Sequence, residues 1–289
     1  MLIGQKLDIG FSQDDNHHKL YGEQDIAAFL HATGVEVAEA PVGPGTSAET
    51  FAEHVARCIG AGMQVTMHPY TEGSIFNLAY FSDSEDNPSR LCHERFFAMA
   101  AEAARTQQAP TLVNLHGAAG TNTDSRTHLV ERSVAFFAWA RQWCAQHAPE
   151  VTVTVELQIR PDPDEPRLRI GDRYDELLEI ARSANVGVCW DFGHAYWNAH
   201  NYDASLEPPE ELMDRIAHVH CHDVKKNDHQ PLIYDVIPWR DFIKRLIDNG
   251  YDQRIILEVP TDAFLDAGGL DSVTASHQAL RDWIQQCKG

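Results

Sequence analysis

Residues 186–193 read Val-Gly-Val-Cys-Trp-Asp-Phe-Gly, an apolar run that carries a carboxylate near its end. Apolar residues occupy both alternating faces of this run, which is typical of a strand in a parallel sheet that helices cover on both sides. An amphipathic segment, Arg173–Ala184, comes directly before it. The stretch therefore predicts one helix–strand unit of an α/β fold.

The same unit recurs along the chain. The strand-like runs are Lys6–Ser12, Gly34–Val42, Gln64–Tyr70, Thr111–Gly117, Val151–Gln158, Val186–Gly193, Ile216–Asp223 and Arg254–Pro260. The helical patterns are Glu23–Ala32, Ala48–Ala61, Ser89–Gln108, Ser125–His147, Arg173–Ala184, Pro208–Asp214, Trp239–Asp248 and Asp271–Gln286. This alternation predicts an α/β fold, a (β/α)8 TIM barrel forming a single domain over residues 1–289. The main alternative is a doubly wound sheet. Such a sheet more often has a Gly-rich turn after its first strand, whereas the segment that follows here, Phe11–His18, contains no glycine.

The net charge and the cysteine spacing argue against several classes of protein. The 289 residues include 23 Lys and Arg against 43 Asp and Glu, a formal net charge of −20. Such acidity disfavours binding to nucleic acids and to anionic membranes. The six cysteines form no Cys-x-x-Cys pair, so neither a disulfide framework nor a zinc ribbon is indicated. No signal peptide or membrane-spanning run is visible, and we expect a cytoplasmic protein.

The long connections all follow strands. They are Thr71–Pro88, Arg160–Asp172, Ala195–Glu207 and Val224–Ile237. In a barrel these loops lie at the C-terminal face, where active sites are built. The segment Gly73–Ser89 is a candidate lid, with a subunit contact in a homo-oligomer as the equal alternative.

Six consecutive strands end in a histidine or a carboxylate. These residues are His68, His116, Glu156, Asp191, His220 and Glu258. Because strand ends converge in a barrel, the three carboxylates would repel one another unless a divalent cation lay between them. With His220 adding a nitrogen, the set suits one Mn²⁺, Mg²⁺ or Co²⁺ ion and also accepts Zn²⁺. Cys189 and Cys221 are expected to alternate out of it.

This pattern resembles the xylose isomerase-like barrel superfamily, which holds sugar isomerases and epimerases, hydroxypyruvate isomerase, inosose dehydratase and nucleases of the endonuclease IV type. The resemblance is carried by Glu156, Asp191-x-x-His194, His220-x-x-Asp223 and Glu258. In the isomerase branch it implies that Glu156, Asp191, His220 and Glu258 bind the metal. It also implies that Glu156 and Glu258 move protons on opposite sides of a bound ketose or related polyol, by way of an enediolate.

The resemblance also suggests residues that contact substrate. His194 would hold a substrate hydroxyl, and Lys226 matches a substrate-binding arginine of some epimerases, with Lys225 as the alternative. From its position, Arg160 could reach an anionic substrate. Trp197 could cover the apolar face of a sugar, whereas Trp190 is expected to point to the helix layer. His68 and His116 would line the pocket or support a second metal.

Three other functions stay open. A metal-dependent lyase or dehydratase acting on a keto-sugar or keto-inositol would use the same residues. A zinc phosphodiesterase of the endonuclease IV type would use His68, His116 and His194 as further ligands. That family takes its third zinc with an Asp-x-His pair, whereas Asp228 and His229 are adjacent here and follow His220 closely. The last alternative is a metal-binding subunit without catalytic activity.

Overall fold

Eight parallel strands close into a barrel, which confirms the predicted fold. The computed structural model describes residues 1–10, 15–225 and 227–288. The barrel strands are β1 (Leu2–Lys6), β2 (Val37–Val42), β3 (Gln64–Pro69), β4 (Thr111–Leu115), β6 (Val151–Glu156), β8 (Gly187–Asp191), β9 (Ile216–Cys221) and β10 (Arg254–Leu257). They pair in that order, and β1 closes the barrel against β10. Two short strands at the barrel mouth, β5 (Ala119–Thr121) and β7 (Arg167–Arg169), form an antiparallel ribbon.

The helices surround the barrel. They are α1 (Asp15–Tyr21), α2 (Ile26–Ala32), α3 (Ala48–Gly60), α4 (Pro88–Gln107), α5 (Arg126–His147), α6 (Tyr174–Ala184), α7 (Phe192–Tyr202), α8 (Glu210–Met213), α9 (Trp239–Asp248), α10 (Thr261–Asp266) and α11 (Leu270–Lys288). The eight predicted helices are all present within three residues of their expected ends. The short helices α1, α7 and α10 were not predicted. Because α7 begins directly after β8, residues 195–202 of the predicted loop Ala195–Glu207 are helical.

The first strand lies earlier than predicted. It is Leu2–Lys6 rather than Lys6–Ser12, and residues 11 and 12 of the predicted strand fall outside the described ranges. The register is set by β10, with Gly4 opposite Ile256. A Cβ atom at Gly4 would lie 2.2 Å from the Ile256 side chain, so glycine allows Ile256 to fill the barrel interior here.

The core between barrel and helices is apolar and rich in aromatic residues. Trp190 is fully buried, as expected, with its ring centroid 4.8 Å from that of Phe192 and 5.0 Å from that of Phe242. Its indole N–H donates to the Tyr174 hydroxyl at 3.2 Å. In the part of the chain that the structure describes, no helix is long and apolar enough to span a bilayer.

The predicted lid segment Gly73–Ser89 is anchored at its base. Phe81 is buried against Trp139, with ring centroids 5.0 Å apart, and the Asn77 amide donates to the Ala119 carbonyl at 2.8 Å. By contrast, Ile75 and Tyr80 are 62% and 63% exposed. The segment therefore presents an exposed tip on a fixed base.

An ion pair ties the start of this segment to the barrel. Glu72 Oε1 lies 2.6 Å from His116 Nδ1. Burial lowers the pKa of His116, but Glu72 and Glu156 outweigh it and raise that pKa to about 10. Burial raises the pKa of Glu72, but His116 outweighs it and lowers that pKa to about 2. Both groups are charged at neutral pH.

This pair predicts a pH-dependent contribution to stability. The His116 contribution is complete below its unfolded pKa of about 6.5 and is lost as pH rises towards about 10. The Glu72 contribution is complete above its unfolded pKa of about 4.5 and is lost as pH falls towards about 2. Glu72→Gln should therefore destabilise the protein most between these two unfolded values. The expected loss is about 1 kcal/mol, or about 2–4 °C in Tm, because the pair is partly exposed.

Thermal unfolding followed by circular dichroism across this pH range tests the prediction. Glu131→Gln, which changes an exposed carboxylate on α5, is the matched control. A loss of Tm in Glu72→Gln that stayed constant from about pH 5.5 to about pH 10 would contradict the assigned charges.

Candidate metal centre and active site

Four side chains meet at the C-terminal end of the barrel. Asp191 pairs in register with His220, which in turn lies opposite Ile256, so Glu258 follows at the next inward position. Glu156 completes the group from β6. Each of these residues is at most 2% exposed, and each offers one ligand atom within 4.8 Å of the others. The structure thus brings together the four residues predicted as metal ligands.

In each of the four, one polar atom is held by a hydrogen bond. The Asn114 amide donates to Glu156 Oε2 at 2.5 Å, and the His194 backbone N–H donates to Asp191 Oδ1 at 2.7 Å. The imidazole of His220 donates through Nε2 to a carboxylate at 2.6 Å, and the Tyr70 hydroxyl donates to Glu258 Oε1 at 2.9 Å. These bonds fix the orientation of all four groups.

The other polar atom of each residue has no hydrogen-bond partner among the described residues. These atoms are Glu156 Oε1, Asp191 Oδ2, His220 Nδ1 and Glu258 Oε2, all fully buried. Such atoms are costly to bury unless something binds them. Three carboxylate oxygens and one imidazole nitrogen suit a divalent cation. The donor set therefore fits a metal ion at this point.

Glu39 orients His220 and was not identified from the sequence. Its carboxylate accepts from His220 at 2.6 Å, from His218 at 2.7 Å and from the Thr66 hydroxyl at 3.1 Å. Burial raises the pKa of Glu39, but the two histidines outweigh it and hold that pKa well below its usual range. An ionised carboxylate can only accept, so His220 carries a proton on Nε2 and directs Nδ1 towards Glu258 Oε2, 2.9 Å away at the candidate metal centre. The one sequence signal was a carboxylate within the apolar strand β2.

Three further histidines surround the four ligands. His68 donates through Nδ1 to the Asn114 carbonyl at 3.0 Å and places Nε2 3.2 Å from Glu156 Oε2. Burial lowers the pKa of His68 to about 4, so it is neutral at pH 7. His194 donates through Nδ1 to the Leu157 carbonyl at 2.9 Å. His116 places Nε2 3.6 Å from Glu156 Oε1.

The loop after β9 also reaches the site. His229 places Nε2 3.4 Å from Glu258 Oε2, and its Nδ1 lies 3.0 Å from Asp228. His194, His222 and His229 each offer a ligand atom within 4.8 Å of the others, so they could hold a second cation. Although Asp228 and His229 follow His220 closely in the sequence, their loop folds back over the barrel mouth and brings His229 to the candidate metal centre.

Glycine is required where α7 meets this loop. A Cβ atom at Gly193 would lie 1.9 Å from the ring of His222. The ring of His222 stacks on that of His229 at 4.2 Å. The first turn of α7 therefore supports the histidines of the loop directly.

Cys189 lies inside the barrel, contrary to expectation. It precedes Asp191 by two residues and so shares its face of β8. Its sulfur is close enough to His218 and His220 to form a further group of candidate ligands. It is fully buried, and burial raises the pKa of its thiol well above the usual range, so it is a neutral thiol at pH 7.

A cavity of about 480 Å³ opens above the four ligands. Among the predicted residues, Glu156, Glu258, His116 and His194 line it. The lining also includes Asp228 and His229, and four residues that the sequence did not single out, namely Lys6, Tyr70, Glu72 and Arg169. The cavity combines carboxylates with cations, as a site for a polar small molecule requires.

Two of the proposed substrate contacts, Arg160 and Trp197, lie elsewhere. Arg160 stacks on Tyr202, with its guanidinium 5.2 Å from the ring centroid, and lies 3.9 Å from Asp172. Trp197 lies on α7, partly buried against the apolar core. Neither is among the described residues that line the cavity. Lys226 lies outside the described residues.

Comparison with known proteins supports the fold. A D-tagatose 3-epimerase-like protein is 17% identical, covering 100% of this chain and 98% of its own, with a TM-score of 0.66. D-psicose 3-epimerase from Clostridium cellulolyticum H10, solved with D-tagatose, is 15% identical, covering 99% of both chains, with a TM-score of 0.66. The IOLI protein, solved with a zinc atom, is 12% identical over 99% of both chains, with a TM-score of 0.60. Comparison with curated proteins finds no match.

The sequence pattern of one family covers most of the chain. Residues 25–287 match the xylose isomerase-like TIM barrel family. This range contains all four candidate metal ligands and seven of the eight barrel strands. The protein therefore belongs to the xylose isomerase-like TIM barrel family.

Proposed function

We propose that the protein is a divalent-metal-dependent enzyme that isomerises or epimerises a small sugar or related polyol. The observation that carries this proposal is the set of four buried polar atoms, one on each predicted ligand, that lack a hydrogen-bond partner in the described residues. The names of the similar structures, which include sugar epimerases, support the substrate class.

Glu156 and Glu258 are the two groups that would exchange protons with the substrate. Burial raises the pKa of each, but His220 and other cationic neighbours outweigh it and hold both values well below the usual range. Both are therefore carboxylates at neutral pH and can accept a proton. A divalent ion bound between them would polarise a carbonyl and its neighbouring hydroxyl and so acidify the C–H bond next to them.

The two carboxylates have different surroundings. Glu156 lies between imidazoles, with His68 and the protonated His116 beside it. Glu258 lies between a phenol and an ammonium group, those of Tyr70 and Lys6. Strands β6 and β10 present them from different sides of the centre. One carboxylate can take a proton from one side of a bound ketose while the other returns it elsewhere.

Metal content is the first test. Protein purified without added metal should contain about one divalent ion per chain by elemental analysis. Asp191→Asn should weaken metal binding by more than the roughly 10–100-fold that is typical of losing an outer partner. Two or three zinc ions per chain would favour the nuclease, to be tested on DNA with an abasic site. No bound ion, even after incubation with metal, would contradict the proposal.

Glu39 should tune this affinity without touching the ion. Glu39→Gln replaces an acceptor-only group by an amide, so the proton on His220 Nε2 is no longer enforced. We expect metal affinity, measured by competition with a chelator, to fall about 10–100-fold. Unchanged affinity in a folded Glu39→Gln variant would show that His220 does not depend on this bond.

The two bases can be tested separately. Glu156→Gln and Glu258→Gln should each lower turnover by about 10²–10⁴-fold while circular dichroism shows an intact fold. Exchange of substrate C–H protons with D₂O, followed by NMR over a panel of ketoses, is the measurement. Glu179→Gln on α6 is the matched control. Full activity in either variant would refute the mechanism, and a product that has lost water would identify a dehydratase.

A further inference from the structure

Lys6 ends β1 at the wall of the cavity. Register places its neighbour Gln5 opposite Leu257, so Lys6 stands beside Glu258, and on the other side it pairs with Glu39. Its side chain is only 19% exposed, and it lines the cavity together with Glu258. A lysine held this far from solvent at a reaction site is costly unless its charge is used.

The contacts of Lys6 leave its ammonium group incompletely bound. Nζ lies 3.3 Å from the Tyr70 hydroxyl and 3.5 Å from Glu258 Oε1. Charge-assisted hydrogen bonds are usually about 2.7–2.9 Å long, so neither contact is a tight one. An ammonium group has three protons, and the described residues offer Nζ these two polar partners. Among the described residues, at least one proton of Nζ is left without a partner and can be donated to an oxygen of a molecule in the cavity.

Tyr70 supports this arrangement. Its hydroxyl donates to Glu258 Oε1 at 2.9 Å, so its oxygen faces Lys6 as an acceptor. Lys6 Nζ, the Tyr70 hydroxyl and Glu258 Oε1 thus form a triangle, in which the phenol and the ammonium group share one oxygen of Glu258 and the ion pair between Lys6 and Glu258 stays long, at 3.5 Å. Lys6 is therefore held in place by a long ion pair and a long hydrogen bond that leave part of its donor capacity unused.

We propose that Lys6 is a catalytic residue whose ammonium group binds the substrate oxygen on which negative charge develops. The inference rests on the proposed function. When the C–H bond breaks, its proton passes to Glu258 Oε1 and its electron pair forms the new C–C double bond. The carbonyl π electrons move onto oxygen, and a hydrogen bond from Lys6 stabilises that charge without proton transfer from Lys6.

A different role for Lys6 is to balance the charge of Glu258 alone. In that case its loss would weaken the metal centre and the fold, and binding of an anion in the cavity would change only as a consequence. Under the proposed role, loss of Lys6 weakens binding of an oxyanion while metal affinity is retained. The two roles therefore differ in a binding measurement that needs no turnover.

The experiment uses Mn²⁺-loaded protein and oxalate, a planar dianion that resembles an enediolate. Isothermal titration calorimetry measures the Kd of oxalate for the wild type, Lys6→Met and Lys6→Arg. Lys244→Met, which removes an exposed lysine of α9, is the matched control. We expect Lys6→Met to raise the Kd about 10-fold or more, the loss of a hydrogen bond to a charged group. Lys6→Arg should recover part of the affinity, and Lys244→Met should equal the wild type.

Mn²⁺ affinity is measured on the same variants. The proposal is overturned if oxalate does not bind the wild type, if it binds Lys6→Met equally well, or if Lys6→Met loses Mn²⁺ affinity in proportion. Where Lys6→Met does not fold, Lys6→Gln takes its place. Weaker oxalate binding at unchanged Mn²⁺ affinity supports Lys6 even if no ketose on the panel exchanges protons, an outcome that counts against the proposed function alone. With an active ketose, Lys6→Met should lower kcat about 10²–10³-fold.

Discussion

The carboxylate of Glu39 organises the interior of this barrel. It accepts hydrogen bonds from His218 and His220, two residues of one strand, and a third from Thr66 on another. Three donors from across the barrel satisfy a charge that would otherwise be far too costly to bury. Because the carboxylate is ionised, it holds a proton of His220 on Nε2 and so turns Nδ1 to Glu258 at the candidate metal centre. The orientation of His220 as a candidate ligand depends on this hydrogen bond.

Each of the four candidate ligands has one polar atom fixed by a hydrogen bond and a second polar atom without one. Hydrogen bonds from amide, backbone and hydroxyl donors hold one atom of each candidate ligand, and the second atom is left for a bound ion. Such preorganisation is characteristic of sites that bind metals tightly. The same division holds for His68 and His194, whose Nδ1 atoms bind backbone carbonyls. The barrel supplies orientation, and the loops supply the walls of the cavity.

The strand ends could be predicted because their signal is local. A carboxylate or an imidazole directly after an apolar run is visible in a few residues, and barrel closure brings such residues together. Glu39 could not be found this way, because its partners lie 179 and 181 residues further along the chain. The first strand was misplaced because residues 7–9, Leu-Asp-Ile, continue the strand-like alternation although they follow β1.

The loops were the least predictable part. Arg160 was expected at the substrate, but it stacks on Tyr202, and Arg169 lines the cavity from a strand of only three residues. Adjacent Asp228 and His229 gave no sign that their loop would fold back onto Glu258. In each case the outcome depends on contacts across the barrel mouth, which sequence patterns of period 2 or 3.6 do not encode.

Asp191 has two tasks, because one of its oxygens caps the first turn of α7 while the other is free at the candidate metal centre. The same orientation of the Asp191 carboxylate serves both the helix cap and the candidate metal centre. An ion bound there would therefore be thermodynamically linked to the folding of that turn, so the free energy gained by binding would also oppose fraying of the helix. His194 lies in the same turn and lines the cavity, so its position depends on that turn being folded. The candidate metal centre and one wall of the cavity would then order together.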